Sequence, residues 1–176
     1  MDYQETVGWL YNQLPSYQKE GQIAYKKDIN NIFNFFQKNG QAYLSFDTIH
    51  VGGTNGKGSV SHMLSSILQE SGLKIGLFTS PHVLEFRERI KINGKMIHKQ
   101  FVIDFVKDHM TDFQNMNLSF FEMNVAMAFN YFENEAVDLA IIEVGLGGRL
   151  DATNVVLPLL SIITNTSLDH RDLLGN

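Results

Sequence analysis

A chain of 176 residues with 44% hydrophobic content is one domain, or one domain with a short appendage, and can bury roughly 70% of its unfolded surface. A net charge of −5 with no lysine/arginine block excludes a dedicated nucleic-acid binder, and the lack of cysteine excludes disulfides and thiolate metal sites. No apolar run spans a bilayer and no signal segment opens the chain, so the cytoplasm is the expected compartment.

Asp2 to Leu14 reads as a short amphipathic helix with Val7, Leu10 and Leu14 on one side, ended by Pro15. A second helix is expected over Tyr25 to Gln37, with Ile29, Ile32, Phe33 and Phe36 at helical spacing and Asn39-Gly40 as its stop. Neither carries chemistry. Residues 1–45 are therefore expected to be a helical segment packing on the domain of residues 46–176.

The apolar strand Thr48–Val51 then runs into Gly53-Thr54-Asn55-Gly56-Lys57-Gly58-Ser59, and a helix follows to Ser71. Strand, glycine turn, lysine, hydroxyl and helix together grip a nucleoside triphosphate. Glycines let backbone N–H groups approach phosphate oxygens, the helix N-terminus favours negative charge, and lysine adds a point charge. The spacing departs from G-x-x-x-x-G-K-[ST]: Val51 fills the first glycine slot, Gly58 fills the hydroxyl slot, and Ser59 comes one place late. The bland alternative is a glycine-rich turn with a solvated lysine.

Gly72 closes that helix and a strand over Lys74–Thr79 follows, giving a right-handed βαβ unit with parallel strands. Beyond Ser80-Pro81-His82, Arg89 to Ile92, the turn Asn93-Gly94 and Lys95 to Ile97 read as a small β-hairpin. Helices are expected over Gln100–Phe113 and Ser119–Phe132, and buried strands over Val137–Ile142 and Leu159–Thr164. The fold class is α/β: a parallel-sheet, P-loop NTPase-like domain with helices on both faces and a hairpin insertion. Four parallel strands without a closing helix, ending at Leu173 to Asn176, read as a piece of a longer chain.

Ligands of open α/β sheets sit beyond the carboxyl ends of the strands. Here those ends carry the glycine loop, Thr79 to His82, Glu143 with Gly145 to Asn154, and Asn165 to His170, all on one edge. Magnesium takes hard oxygen ligands and borrows the rest from phosphates and water, so Ser80, Glu143 and His170 are the candidate protein ligands. The competing readings are a loop-capping acid for Glu143, a backbone-bonding imidazole for His170 and a Ser-Pro turn start for Ser80. Gly145 to Gly148 is not a dinucleotide fingerprint, because Leu150 holds the last glycine position and a strand follows. His50 reads as a satisfied core histidine; Phe120, Phe121, Met123 and Met127 read as core or pocket wall. Glu122 either complements the helix dipole or faces the cleft.

These motifs resemble the dihydrofolate synthase/folylpolyglutamate synthase family, within the Mur-ligase group of ATP-dependent amide-forming ligases. The matching stretches are His50 to Ser59 (H-V-G-G-T-N-G-K-G-S), Thr79 to His82, Glu88 to Ile90, Phe121-Glu122, Glu143 to Asn154 and Leu168 to His170. The late hydroxyl of G-T-N-G-K-G-S is the family's own form. The resemblance implies the Mur-ligase central domain, with Gly53 to Lys57 and Gly58 around ATP phosphates and Ser59 capping the loop helix. It implies that Ser80 and Glu143 hold one Mg²⁺ and that His170 helps hold a second. It also implies that Ser119, Phe120, Phe121 and Glu122 with Leu150, Asp151 and Ala152 line the pterin pocket. Lys57, Glu143 and His170 carry the catalytic roles, and Arg149 to Asp151 is the form seen in members that also use dihydropteroate. Gly52 and Arg171 depart from the family pattern. The carbamylated lysine and C-terminal domain that the resemblance implies are not in this sequence. The implied reaction joins L-glutamate to dihydropteroate or folate through an acyl phosphate, in a protein monomeric at full length, with no nucleic acid and no membrane. Two other readings stand beside it. One is an ATP-binding fragment without turnover of its own. The other is another P-loop phosphotransferase such as a small kinase, which would need an arginine lid where Arg87 and Arg89 merely precede a hairpin.

Overall fold

A computed structural model describes residues 1–13 and 28–169. The predicted end of the first helix at Leu14 and Pro15, the start of the second at Tyr25, and the candidate ligand His170 lie outside the described residues. In chain order the elements are α1 (Tyr3–Asn12), α2 (Asn30–Asn39), β1 (Asp47–Gly52), α3 (Lys57–Glu70), β2 (Ile75–Phe78), β3 (Ile90–Ile92), β4 (Lys95–Met96), α4 (Lys99–Asn115), α5 (Phe120–Asn134), β5 (Leu139–Glu143) and β6 (Leu160–Ile163). Short 3₁₀ turns cover Ala42–Leu44, Phe86–Arg89 and Ala152–Val155.

The six strands form one sheet in the order β4-β3-β2-β5-β1-β6. β2, β5, β1 and β6 are parallel, so their carboxyl ends share one rim as expected. The predicted hairpin is present, but it extends this sheet rather than standing apart from it. β3 runs antiparallel to β2 through the pairs Gly76↔Ile92, Leu77↔Lys91 and Phe78↔Ile90. Thr79 N–H donates to the Arg89 carbonyl and Asn93 N–H to the Ile75 carbonyl, both at 3.0 Å, which closes the ladder at its two ends. The sheet is therefore mixed, with a parallel centre and an antiparallel edge.

Alternation along the strands sends successive side chains to opposite faces. Ile49, Val51, Ile75, Leu77 and Ile141 meet Val60, Leu64 and Leu68 of α3 on one face. Phe78, Ile90, Ala140 and Ile142 meet the larger core on the other, built around α5 and joined by α1, α2 and α4. α5 is buried nearly all round, as a helix at the centre of a core must be. Gly76 belongs to this packing: a Cβ there would lie 3.0 Å from the Phe132 ring, so Phe132 fills the space of the missing side chain.

α2 buries Ile32, Phe35 and Phe36, while Phe33 is 43% exposed; the face expected from Ile29, Ile32, Phe33 and Phe36 is thus turned by one residue. Phe36 stacks on Phe129 at 5.8 Å and meets Tyr43 edge-on at 5.3 Å, and Phe129 also meets Phe46 at 5.9 Å. These aromatic pairs lock α2 onto α5. Truncating Phe129 to alanine is expected to lower unfolding stability by about 3–5 kcal/mol. Phe33→Ala is expected to change it by less than about 0.5 kcal/mol. Urea denaturation of the two variants measures the contrast, and equal effects would contradict this helix orientation.

Candidate active site at the carboxyl rim of the sheet

Glu143 is the last residue of β5, which the apolar run before it buries. Its side chain is 4% exposed, and its Oε2 accepts the Ser80 N–H at 3.0 Å from the end of β2. On the other side it meets α3: a Cβ on Gly58 would already touch both carboxylate oxygens at 3.6 Å. A longer side chain at position 58 would occupy the space in front of the carboxylate, which gives the unusual glycine after Lys57 a physical reason. Burial pushes the Glu143 pKa up; the Ser80 N–H and the charge of Lys57 pull it partly back.

The glycine loop leads from β1 into α3. Gly56 is the helix N-cap, in the left-handed region with φ 84°, and no side chain caps the helix. The expected capping role of Ser59 is therefore corrected: Ser59 is the third residue of the helix, exposed, because the helix starts at Lys57. An N-cap without a side-chain acceptor leaves first-turn N–H groups, those of Lys57, Gly58 and Ser59, without a partner among the described residues, at the positive end of the helix dipole. Lys57 folds back over the loop, its Nζ donating to the carbonyls of Gly53 at 2.8 Å and Thr54 at 3.3 Å.

The loop is held from below by the segment after β6. The Thr54 N–H donates to the Asn165 carbonyl and the Asn55 N–H to Asn165 Oδ1, both at 3.0 Å. Thr164 Oγ1 donates to the Asn55 carbonyl at 2.7 Å, and Thr54 Oγ1 exchanges hydrogen bonds with the Ser167 backbone. Gly53 has φ +128°, and a Cβ there would lie 2.2 Å from Thr164 Oγ1, so only glycine fits. The N–H groups of Thr54 and Asn55 are thus taken within the protein, and the open donors lie further on, at the helix start. Sequence reasoning placed Asn165 on the rim but not in this supporting role; a strand-end asparagine facing a glycine loop was the available signal.

A cleft of about 450 Å³ lies between the glycine loop and the Gly145 to Arg149 loop, and reaches Asn165 and Asp169. The second loop is tied by Asp151, whose carboxylate accepts from the Leu146 N–H at 2.8 Å, the Thr153 N–H at 3.0 Å and Thr153 Oγ1. The Thr153 hydroxyl spends its one proton on Asp151, so the 2.8 Å contact from His50 Nε2 is a donation from the imidazole. His50 is therefore satisfied and buried, as expected, and burial lowers its pKa. Burial raises that of Asp151.

The pterin candidates form two neighbouring groups. Phe121 and Asp151 converge on Gly145, where a Cβ would lie 2.5 Å from the Phe121 ring and 3.0 Å from Asp151 Oδ2. Leu150 is half-buried and Ala152 buried beside them. Ser119 and Glu122 form a capping box at the start of α5, with Glu122 Oε2 accepting the Ser119 N–H at 2.7 Å, so Glu122 serves the helix terminus. Phe120 turns toward Tyr11 and Phe86. Lys57, Ser80 and Glu143 are brought together at one rim.

Glu143 Oε1 and the Ser80 hydroxyl have no hydrogen bond among the described residues; both are hard oxygens, and Glu143 is a buried carboxylate that a cation would neutralise. These residues fit a magnesium ion, with further ligands from phosphate and water. Among the described residues no three His, Cys, Asp or Glu side chains gather to hold a metal by themselves. No helix among them is long and apolar enough to cross a membrane.

The raised Glu143 pKa has a stability consequence. The folded state binds this proton more tightly than the unfolded chain, so the carboxyl's contribution falls as pH rises from the ordinary carboxylate range through the raised value. Burial is the largest cause of the shift. Glu143→Gln is therefore expected to melt at a higher temperature than the parent at neutral pH. The gap should close as pH falls below the ordinary carboxylate range. A lower melting temperature at neutral pH would mean that the Lys57 attraction outweighs burial.

Residues 51–176 match the Mur ligase middle domain family. The chain is 36% identical over 181 residues to the dihydrofolate synthase/folylpolyglutamate synthase of Bacillus subtilis, covering 99% of this chain and 40% of that protein. The crystal structure of a folylpolyglutamate synthase from Thermotoga maritima superposes with TM-score 0.85 at 40% identity, over 94% of this chain and 38% of that one. A folylpolyglutamate synthase–AMPPCP–folate complex superposes with TM-score 0.89 at 35% identity, over 100% of this chain and 43% of that one. The chain thus spans about two fifths of the length of the relatives it matches. With the phosphate loop, the buried strand-end glutamate and the Ser80 turn on one rim, the chain belongs to the Mur ligase family, in its dihydrofolate synthase/folylpolyglutamate synthase branch.

Proposed function

We propose that this chain is the ATP-binding part of a ligase that joins L-glutamate to dihydropteroate or folate. The convergence of Ser80 and Glu143 on the start of α3, beside Lys57, carries the reading. It puts a cation, a buried acid and unpaired backbone donors within one small volume, which suits the charge of a triphosphate and its metal. The relative solved with AMPPCP and folate supports both ligand classes.

In this mechanism Lys57 and the first-turn N–H groups of Lys57, Gly58 and Ser59 hold the ATP phosphates. Ser80 and Glu143 would hold magnesium, with His170 contributing by resemblance. Bound there, magnesium supplies charge neutralisation on the phosphate oxygens. The substrate carboxylate attacks the γ-phosphorus, the bond to the β-bridging oxygen breaks, and ADP leaves. The glutamate amine then attacks the acyl carbon, losing a proton, and phosphate departs from the tetrahedral intermediate. No protein nucleophile takes part. The protein positions reactants and stabilises charge that develops in the transition state. Phe120, Phe121, Leu150, Asp151 and Ala152 form the pterin side, and Ser119 and Glu122 border it by capping the helix that carries Phe120 and Phe121. A cytoplasmic location and a monomeric full-length protein accompany this reading.

Lys57→Ala is expected to weaken ATP binding by about 1.5–3 kcal/mol, the worth of a charge-assisted hydrogen bond. Calorimetric titration with Mg²⁺ and a non-hydrolysable ATP analogue measures it, and unchanged affinity would overturn the assignment of Lys57. Turnover is tested separately. Phosphate release that needs ATP, dihydropteroate and glutamate together marks a chain active alone. ATP binding without release favours a part that requires the rest of the enzyme.

A further inference from the structure

Among the described residues Arg89 is a buried cation without a carboxylate partner. It ends the Phe86–Arg89 turn, and its carbonyl accepts the Thr79 N–H one residue before Ser80, so it belongs to the same rim. The residue is 8% exposed. Its Nε donates to His82 Nδ1 at 2.7 Å, and its guanidinium lies 5.2 Å from the centre of the Phe120 ring. His82 Nδ1 is therefore an acceptor, and its Nε2 faces the Tyr11 hydroxyl at 2.9 Å. The three ion pairs among the described residues are Lys38–Asp112, Lys74–Glu135 and Arg87–Glu85; neighbouring Arg87 is neutralised and Arg89 is not.

The two terminal nitrogens of Arg89 make no hydrogen bond among the described residues. The only sealed, unpaired side-chain atoms there are Ser61 Oγ and Asn124 Oδ1, so these Nη groups keep an opening to solvent. Burying a cation unpaired is unfavourable, and a ring face with one imidazole offsets only part of it. What remains is a planar fork with both arms free among the described residues, held by His82 over the Phe120 ring, which itself packs on Tyr11 and Phe86. A fork of this shape matches a carboxylate through two parallel hydrogen bonds. The aromatic wall suits a flat ring attached to that carboxylate, whereas Lys57 and the α3 terminus serve phosphate.

We infer that Arg89, held by His82 over Phe120, binds the carboxylate of the acid substrate. This rests on the ligase reading above and assigns a further binding residue to it. The orientation is set by the protein before the ligand arrives, so the gain from the pairing is not diluted by ordering the side chain.

The test is a binding cycle in the full 176-residue chain with Mg²⁺ and a non-hydrolysable ATP analogue. Pteroate and its decarboxylated analogue are titrated into the parent and into Arg89→Met. The parent is expected to bind pteroate at least about tenfold more tightly than the analogue. Arg89→Met should lose that preference by weakening pteroate alone, with the nucleotide affinity unchanged. Arg89→Gln, which keeps donors but removes the charge, carries the same comparison if the methionine variant does not fold; its preference should shrink. Equal weakening of both ligands, an undiminished preference, or weakened nucleotide binding instead would overturn the inference. A parent that binds the nucleotide but neither pteroate nor its analogue would overturn the substrate reading and the inference together. A parent that discriminates while the variants also do so overturns the inference alone.

Discussion

The Glu143 carboxylate is the point on which the rim turns. An ionised acid taken out of water is costly, and this one is tolerated because three elements lean on it: the Ser80 N–H from the end of β2, the start of α3 at Gly58, and the charge of Lys57. Each of those contacts also fixes something the chemistry needs. The Ser80 bond ties the turn after β2 to the carboxylate. The glycine at 58 brings helix and acid together without a side chain between them. The proximity of Lys57 keeps a cation at the entrance of the cleft. The parallel order β2-β5-β1 makes this possible, since Glu143 sits on the middle strand with the two loops on its flanks.

Around that point the structure spends its polar groups on rigidity. Asn165 and Thr164 fasten the glycine loop from the end of β6, and Asp151 fastens the neighbouring loop through three hydrogen bonds and, via Thr153, ties it to His50 in β1. Both loops are therefore preformed, and the N–H groups left over are those at the start of α3. Preorganised donors of this kind stabilise developing charge without rearrangement during the reaction.

Much of this was legible in the sequence where one residue type has one physical use. The apolar run ending in Glu143, the G-T-N-G-K-G-S turn and the Asn93-Gly94 hairpin each declare their local structure, and the parallel topology then forces the strand ends onto one edge. The errors fall where three-dimensional neighbours decide. Phe33 and Phe35 have the same propensity, and only the position of α5 selects Phe35 for the core. Ser59 looks like a cap until Gly56, with its left-handed backbone, takes that place. Glu122 could serve helix or cleft, and the reciprocal bonds with Ser119 settle that it closes a capping box. Arg89 looked like a hairpin residue because nothing in its own segment reveals that it lands on Phe120 and His82, encoded elsewhere in the chain.

Whether the Glu143 rim is where a nucleotide's metal sits can be read by paramagnetic broadening. Manganese takes the same hard oxygen ligands as magnesium, and in the presence of ATP it should erase the backbone amide signals of Gly58, Ser80 and Glu143 first. Signals from β3, β4 and the far ends of α4 and α5 should persist. Broadening centred away from those three residues, or broadening that is the same in Glu143→Gln, would contradict the role assigned to this carboxylate.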